Sequence, residues 1–175
     1  MRCSFGVVEM KAIVQRVIGK TTIDSTLNGV TSHEEMSDYG LLVLLGWEKS
    51  DEELESKKLE ANEIWLMEKI IGLRIFPDEN QKMNWNLKTF LESKNLHSGG
   101  ILWVPQFTLS ATLDSGFRPS FTAAMNPQLA SARFSYWRKR SLEATQPLKS
   151  IYGIFSADMT LSFSNWGPVT IPISR

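Results

Sequence analysis

The sequence contains a single cysteine, Cys3, so no disulfide can form within the chain. It also has only two histidines, His33 and His97, too few to supply the ligands of an ordinary structural zinc site. We expect both histidines to be exposed, and we expect neither a metal nor a cofactor. No apolar run approaches the roughly 20 residues that a membrane-spanning helix needs, so no membrane partner is expected.

An excess of charge of one sign is absent as well. The chain has 19 basic and 19 acidic residues, which argues against a protein that grips long stretches of nucleic acid backbone. A protein that holds only the end of an RNA is still compatible with this balance. Residues 1–9 lack the apolar centre of a signal peptide, and with the lone cysteine this favours a cytoplasmic protein. We interpret 1–9 as an N-terminal extension and 10–175 as one domain.

The common catalytic signatures are also missing. There is no glycine-rich phosphate loop ending in Gly-Lys, no G-x-G-x-x-G turn, no H-E-x-x-H and no G-x-S-x-G. An enzyme with this sequence is therefore not expected to use a histidine-based nucleophile. It would depend on main-chain donors, on a hydroxyl group or on a group of the substrate itself.

The elements that can be predicted alternate between strands and helices. Asn28-Gly29 marks a two-residue hairpin, and Leu41–Trp47 is a continuous apolar run typical of a strand buried on both faces. A helix is predicted from Ser50, with Glu53 completing a capping box, to a stop at Gly72.

The second half repeats this alternation. Ile101–Thr112 is predicted as a strand, and a second helix as beginning at Asn126-Pro127. Two closing strands, Ile151–Asp158 and Thr160–Phe163, precede a turn at Gly167-Pro168. These elements predict one α/β domain, a mixed, curled sheet with two main helices packed outside it.

Two short segments carry chemistry of interest. Gln106 and Thr108 share one face of the predicted strand by its period of two, and Asn165–Thr170 surrounds the Gly-Pro pair. Taken alone, each also fits an ordinary strand face or an ordinary turn.

In their order along the chain, these segments resemble the D-aminoacyl-tRNA deacylase family. The resemblance covers nearly everything from residue 10 onward. Its motifs are MKAIVQRV at Met10–Val17, Leu41–Gly46, Leu73–Phe76, Lys82-Met83-Asn84, QFTL at Gln106–Leu109, RPSF at Arg118–Phe121, Ala157-Asp158-Met159 and GPVT at Gly167–Thr170.

The resemblance implies a barrel-like sheet and a homodimer with its active site at the subunit interface. Gly167 and Pro168 would enter the partner's pocket and exclude an L side chain, with the Gly167 carbonyl facing the substrate's amino group. Thr108 would be the catalytic hydroxyl, and main-chain N–H groups near Gln106 and Phe107 would form an oxyanion hole.

The same resemblance implies that the partner is the aminoacylated 3′ end of tRNA. The expected reaction is hydrolysis of mischarged D-aminoacyl-tRNA, extending to glycyl-tRNA, as translation quality control. The aromatic ring of Phe155 would lie beside the terminal adenine. The substrate-binding residues would be Pro105, Phe155, Met159, Asn165 and Thr170.

Some residues depart from the family pattern. Pro105 stands where Ser is common, Ser110 where Tyr is common, and Trp166 where a small or acidic residue is frequent. Pro105 is a feature of a related branch that clears L-alanine from threonine tRNA, which is one alternative function. The motif of that branch ends with an aromatic residue and a histidine, whereas this sequence has Val169 and Ile171 at those two positions.

A non-catalytic nucleic-acid-binding module of the same fold is the other alternative. A basic cluster near the end of the second predicted helix could line up as a phosphate-binding stripe, although basic residues also favour a helix C-terminus. Its members are Arg133, Arg138, Lys139 and Arg140.

Overall fold

The structure, a computed structural model, describes residues 10–114 and 116–175. The predicted extension, residues 1–9, lies outside the described residues. None of the described helices is long and apolar enough to cross a membrane. The strands are β1 Lys11–Leu27, β2 Val30–Met36, β3 Tyr39–Gly46, β4 Phe76–Pro77, β5 Met83–Trp85, β6 Gly100–Pro105, β7 Lys149–Tyr152 and β8 Asp158–Ser174, and the α-helices are α1 Ser56–Ile71, α2 Leu87–Ser93 and α3 Pro127–Ala144.

The long strand β1 organises the main sheet. One edge of β1 pairs antiparallel with β3 along its first half and with β2 along its second half, and the other edge pairs antiparallel with β8. Strands β6 and β7 continue the sheet beyond β3 in parallel. The sheet is mixed and nearly closed, so the predicted α/β domain with a curled, barrel-like sheet is confirmed.

Alternating residues of the central strands enter two apolar clusters. Leu41, Val43 and Leu45 of β3 face the helices, whereas Leu42 packs on the opposite face of the sheet. The larger cluster also holds buried side chains from α1, α2 and α3, including Trp137. Both faces of β3 are therefore covered, which explains its continuous apolar run.

Several predicted elements are confirmed. The Asn28-Gly29 turn joins β1 to β2, and Asn28 and Gly29 both have positive φ angles, as a hairpin turn of this type requires. Helix α1 ends at Gly72, and α3 begins at Pro127, where the Asn126 side chain accepts hydrogen bonds from the first turn.

Other boundaries were predicted wrongly. The helix expected from Ser50 is instead a short 3₁₀ turn, Lys49–Glu53, followed by an extended Leu54, and α1 begins only at Ser56. The capping box lies at Glu48 and Asp51. Competing side-chain hydrogen bonds at this segment thus favour a separate turn over a continuous helix.

Three predictions also fail in the second half. The closing strand expected over Ile151–Asp158 is instead β7, which ends at Tyr152. The strand expected over Ile101–Thr112 ends at Pro105 and is followed by a 3₁₀ turn, Phe107–Ser110. Strand β8 runs through Gly167-Pro168 without ending there, because the pair occupies a bulge in the ladder with β1. Helix α2 was not predicted.

Candidate active site

A cavity of about 520 Å³ opens where β3 and β6 end. Its walls come from the ends of these strands, the segment after β6, the start of α3 and two residues after β7. The lining residues are Leu45, Gly46, Trp47, Lys49, Glu52, Pro105, Gln106, Phe107, Phe121, Thr122, Ala124, Met125, Asn126, Pro127, Ala130, Phe155 and Ser156. Four predicted site residues are therefore brought together here: Pro105, Gln106, Phe107 and Phe155.

The segment Gln106–Ser110, hereafter the active-site turn, forms one wall. Its first main-chain amide, that of Gln106, donates to the carbonyl of Leu45 at 2.7 Å, so it extends the contact between β3 and β6. This amide is therefore already engaged within the sheet. Close packing here also requires Gly46, because a Cβ at that position would lie 2.8 Å from the Gln106 carbonyl oxygen.

The next two amides of the active-site turn are available. Neither the amide of Phe107 nor that of Thr108 has an acceptor among the described residues, because both begin a 3₁₀ helix. The side-chain amide of Gln106 donates to the Thr108 hydroxyl. Gln106 and Thr108 meet through this turn and not, as predicted, on the face of a strand. Thr108 itself is exposed and does not line the cavity.

Aromatic side chains form the mouth of the cavity. Phe107 is 57% exposed, and its ring packs edge-on against Phe121 with 5.1 Å between centroids. The segment that carries Phe121 is fixed to the strand end by two main-chain hydrogen bonds, from Lys49 to the Ala123 carbonyl and from Met125 to the Trp47 carbonyl. The apolar rings at the mouth of the cavity are therefore held in place by the surrounding main chain.

The charged groups of the cavity are few. Among its described lining residues, the only charged side chains are Lys49 and Glu52, and none is a histidine. Both His33 and His97 are exposed elsewhere, as predicted. In the described part of the chain, no group of three or more histidine, cysteine, aspartate or glutamate side chains could hold a metal ion. The other polar side chains of the lining are the amides of Gln106 and Asn126 and the hydroxyls of Thr122 and Ser156.

Gly167 and Pro168 lie away from this cavity, in the bulge of β8. Both are exposed, and their peptide bond is cis. Four residues of β8 here oppose the single residue Arg16 of β1, since Gln15 pairs with Thr170 and Val17 with Asn165. We call the segment Asn165–Thr170 the elbow.

Two predicted site residues hold the elbow rather than lining the cavity. Asn165 accepts a hydrogen bond from the amide of Val169 at 3.0 Å and donates to the hydroxyl of Thr170 at 3.1 Å. Met159 also lies outside the cavity lining and packs against the second apolar cluster. Within one chain, the structure does not bring the elbow and the active-site turn together into one cavity.

Arg16, which is buried beneath the elbow, was not among the predicted site residues. Its guanidinium donates to the carbonyls of Trp166, at 3.0 Å, and of Ile75, at 2.5 Å, and it stacks 4.1 Å from the centre of the Trp166 ring. Burial lowers the pKa of Arg16 from its ordinary value. The only local signal was a charged residue within an apolar strand.

Trp166 stands where the family frequently has a small or acidic residue, and the structure explains this difference. Its ring packs with Tyr39, Phe76 and Phe90 at the edge of the larger core cluster. Together with Arg16, this packing ties the elbow to the domain core.

Most of the predicted basic stripe on α3 is engaged within the chain. Arg133 binds the carboxylate of Glu63 on α1, Arg140 binds Glu60, and Arg138 stacks over a tyrosine ring. These contacts tie α3 to the rest of the domain. They weaken the alternative of a phosphate-binding surface on α3.

The described residues thus form a curled α/β domain in which a turn with two available main-chain amides borders a largely apolar cavity. Residues 13–174 match the family model described as D-Tyr-tRNA(Tyr) deacylase. The chain belongs to this family.

Curated relatives of similar length carry the name D-aminoacyl-tRNA deacylase. That from Geotalea daltonii is 41% identical over 161 residues, covering 92% of this chain and 93% of the relative. That from Syntrophomonas wolfei is 40% identical over 167 residues, covering 93% and 95%.

Two solved structures share the fold. One, described as the c-Myc DNA Unwinding Element Binding Protein, has a TM-score of 0.71 at 29% identity and covers 93% of this chain and 97% of its own. A probable eukaryotic D-amino acid tRNA deacylase has a TM-score of 0.70 at 15% identity, covering 95% and 100%.

Proposed function

We propose that this protein hydrolyses the ester bond of D-aminoacyl-tRNA and releases the free amino acid and tRNA. The observation that carries the proposal is the pair of available amides, Phe107 and Thr108, on the active-site turn beside an apolar cavity. An aminoacyl ester is already activated, so a site that stabilises negative charge and positions water can hydrolyse it without a histidine.

Each group has a distinct part in the proposed reaction. The amides of Phe107 and Thr108 bind the carbonyl oxygen of the ester as it gains negative charge. The Thr108 hydroxyl, held by the Gln106 side chain, orients the attacking water, and the neighbouring ribose 2′-hydroxyl of the substrate assists proton transfer. Phe155, which lines the cavity, would stack beside the terminal adenine.

We further propose that the active site is completed in a homodimer. The elbow of one subunit would enter the cavity of the other, where Gly167 and Pro168 would exclude an L side chain from the reacting carbon. Exposure of both residues, and their stiff support by Arg16 and Asn165, favour this arrangement. Met159 and Thr170 would act by shaping this interface, and Pro105 by shaping the cavity wall. Because mischarged tRNA is proofread where translation takes place, we propose that the protein acts in the cytoplasm.

Removal of a single amide tests the chemistry. Phe107→Pro deletes the N–H, and its position at the start of the 3₁₀ turn accommodates proline. Phe107→Leu, which keeps the N–H, is the matched control. We expect the proline variant to lose about 10²- to 10³-fold in kcat on D-Tyr-tRNA, the usual effect of removing one oxyanion donor. Equal rates for the two variants would exclude a role for this amide.

The substrate class is tested with the wild-type protein. D-Tyr-tRNA, L-Tyr-tRNA, Gly-tRNA and L-Ala-tRNA(Thr) should be compared at equal enzyme concentration. We expect rapid release of D-tyrosine, slower release of glycine and negligible release of both L-amino acids. Preferred hydrolysis of L-Ala-tRNA(Thr) would instead support the L-alanine-clearing activity, and no hydrolysis of any substrate would refute the proposed function.

Mixed dimers test the shared site. The Phe107→Pro and Gly167→Ala variants, each defective alone, should be dissociated together and reassembled. If one site needs the turn of one subunit and the elbow of the other, random reassembly restores about a quarter of the wild-type sites. No recovery in dimers that have demonstrably exchanged subunits would place the whole site within one chain.

A further inference from the structure

The far end of the active-site turn is held by a buried carboxylate. The hydroxyl of Ser110, only 1% exposed, donates to Glu48 Oε1 at 2.8 Å. Glu48 is itself 7% exposed, and its carboxylate also accepts the ammonium group of Lys11 at 2.7 Å. The Lys11 ammonium in addition reaches the carbonyl of Leu109 at 3.4 Å. Two groups of the turn therefore converge on one ion pair.

The same carboxylate fixes the segment that follows β3. The Glu48 side chain accepts the main-chain amide of Asp51, and the Asp51 carboxylate accepts the amide of Glu48 at 2.7 Å. Glu48 is thus immobilised by partners from three parts of the chain. A carboxylate held by several partners is a stiff acceptor for Ser110.

The active-site turn is consequently anchored at both ends. Its start is held by the hydrogen bond from the Gln106 amide to Leu45, and its end by Ser110 on Glu48. The two available amides, of Phe107 and Thr108, lie between these anchors. Electrostatic stabilisation depends on donors that do not move as charge develops, and a displacement near 1 Å can cost about a hundredfold in rate.

We propose that Ser110, Glu48 and Lys11 are positioning residues, which hold the amides of Phe107 and Thr108 in place for the ester hydrolysis. This inference rests on the proposed function. The three residues are expected to affect the rate of the chemical step and not the binding of tRNA, because none of them lines the cavity.

Ser110→Ala is the primary test, with Ser141→Ala as its matched control. Ser141 is also fully buried, and its hydroxyl contacts the Tyr152 hydroxyl at 3.0 Å, away from the turn. Single-turnover hydrolysis of D-Tyr-tRNA should be measured below the melting temperatures of both variants. We expect Ser110→Ala to lower the saturated rate by about tenfold or more, with the half-saturating concentration changed by less than about twofold. Ser141→Ala should keep the wild-type rate.

A second variant and an activity-independent measurement complete the design. Lys11→Met removes the cation that pairs with Glu48 and, measured below its own melting temperature, should give the same separation of rate from binding. Amide hydrogen exchange of the peptide spanning residues 106–111 should be faster in both variants than in Ser141→Ala.

The outcomes separate the two proposals. The positioning role is overturned if amide hydrogen exchange in residues 106–111 is unchanged in the two variants. It is also overturned if Ser110→Ala lowers thermal stability and leaves the rate of hydrolysis unchanged. A wild-type protein that hydrolyses no D-aminoacyl-tRNA refutes the proposed function, and the exchange measurement still decides whether Ser110 and Lys11 hold the turn.

Discussion

The ion pair between α1 and α3 allows a quantitative test of how the cavity wall is supported. Glu63 of α1 is 1% exposed and accepts hydrogen bonds from Trp47 Nε1, at 3.0 Å, and from two nitrogens of Arg133 on α3. Trp47 and the first turn of α3 line the cavity. The carboxylate of Glu63 therefore connects both parts of this wall.

The perturbation is Arg133→Met. The methionine keeps an apolar side chain of similar length, but the buried carboxylate of Glu63 is left with the indole N–H of Trp47 as its remaining close donor. Removing one partner of a buried pair costs about 3–5 kcal/mol. Because the Arg133 side chain is 22% exposed, we expect the lower end, about 3 kcal/mol. For a chain of this size that corresponds to a decrease of about 6–12 °C in melting temperature.

The loss should depend on pH in a defined direction. Desolvation raises the pKa of Glu63, and Arg133 opposes this rise. Without Arg133 the pKa of the folded state rises further above that of the unfolded chain. The stability of the variant is then highest below the ordinary pKa of a glutamate and decreases as pH rises through the raised value. The difference from wild type should be largest near about pH 7 and smaller near about pH 4.5.

Urea unfolding followed by tryptophan fluorescence at both pH values measures this difference. Arg138→Met, on the same helix but over a tyrosine ring, is the control and should cost less than about 1 kcal/mol. The double variant Glu63→Gln with Arg133→Met should return to within about 1 kcal/mol of wild type, since no buried charge remains. A loss in Arg133→Met that is the same at both pH values would refute the reasoning.

Three further substitutions test the site and the surface. Thr108→Ala should lower kcat by less than about tenfold, because the hydroxyl orients water; complete loss of turnover with intact tRNA binding would contradict this role. In Gly167→Ala, the added Cβ would lie 2.8 Å from the Arg16 guanidinium, and alanine would have to adopt a φ of +126°. We therefore expect steady-state kinetics to show at least about tenfold lower activity. Wild-type kinetics in this variant would contradict the expectation. Hydrogen bonding to Asp24 raises the pKa of the exposed His33. An NMR titration should show this raised pKa, and Asp24→Asn should reduce the elevation while the contribution of Glu35 remains. The raised pKa stabilises the fold below the ordinary pKa of histidine, and this stabilisation is lost as pH rises through the raised value.

Local patterns in the sequence were sufficient where short-range chemistry decides the structure. The Asn28-Gly29 turn and the Asn126-Pro127 helix start each depend on a few neighbouring residues, and both were predicted correctly. The resemblance predicted Gln106 and Phe107 as site residues; both line the cavity, and their catalytic part stays a prediction.

Long-range contacts explain what was missed. Arg16 binds carbonyls 59 and 150 positions away, and Glu48 meets Ser110 62 positions away, so no local period reveals them. The burial of the charged Glu63 in α1, where the apolar Ala61 is exposed, likewise depends on its contact with Arg133. Burial of a charged residue depends on a partner from elsewhere in the chain.

The pairing of β1 with β8 has a consequence for synthesis on the ribosome. β1 is translated early, but the strand that covers one of its edges is translated near the other end of the described chain. Until β8 emerges, that edge presents a row of unsatisfied main-chain groups to other nascent chains. Premature termination before Asp158 would therefore yield a product prone to aggregate, whereas loss of an exposed surface loop would not.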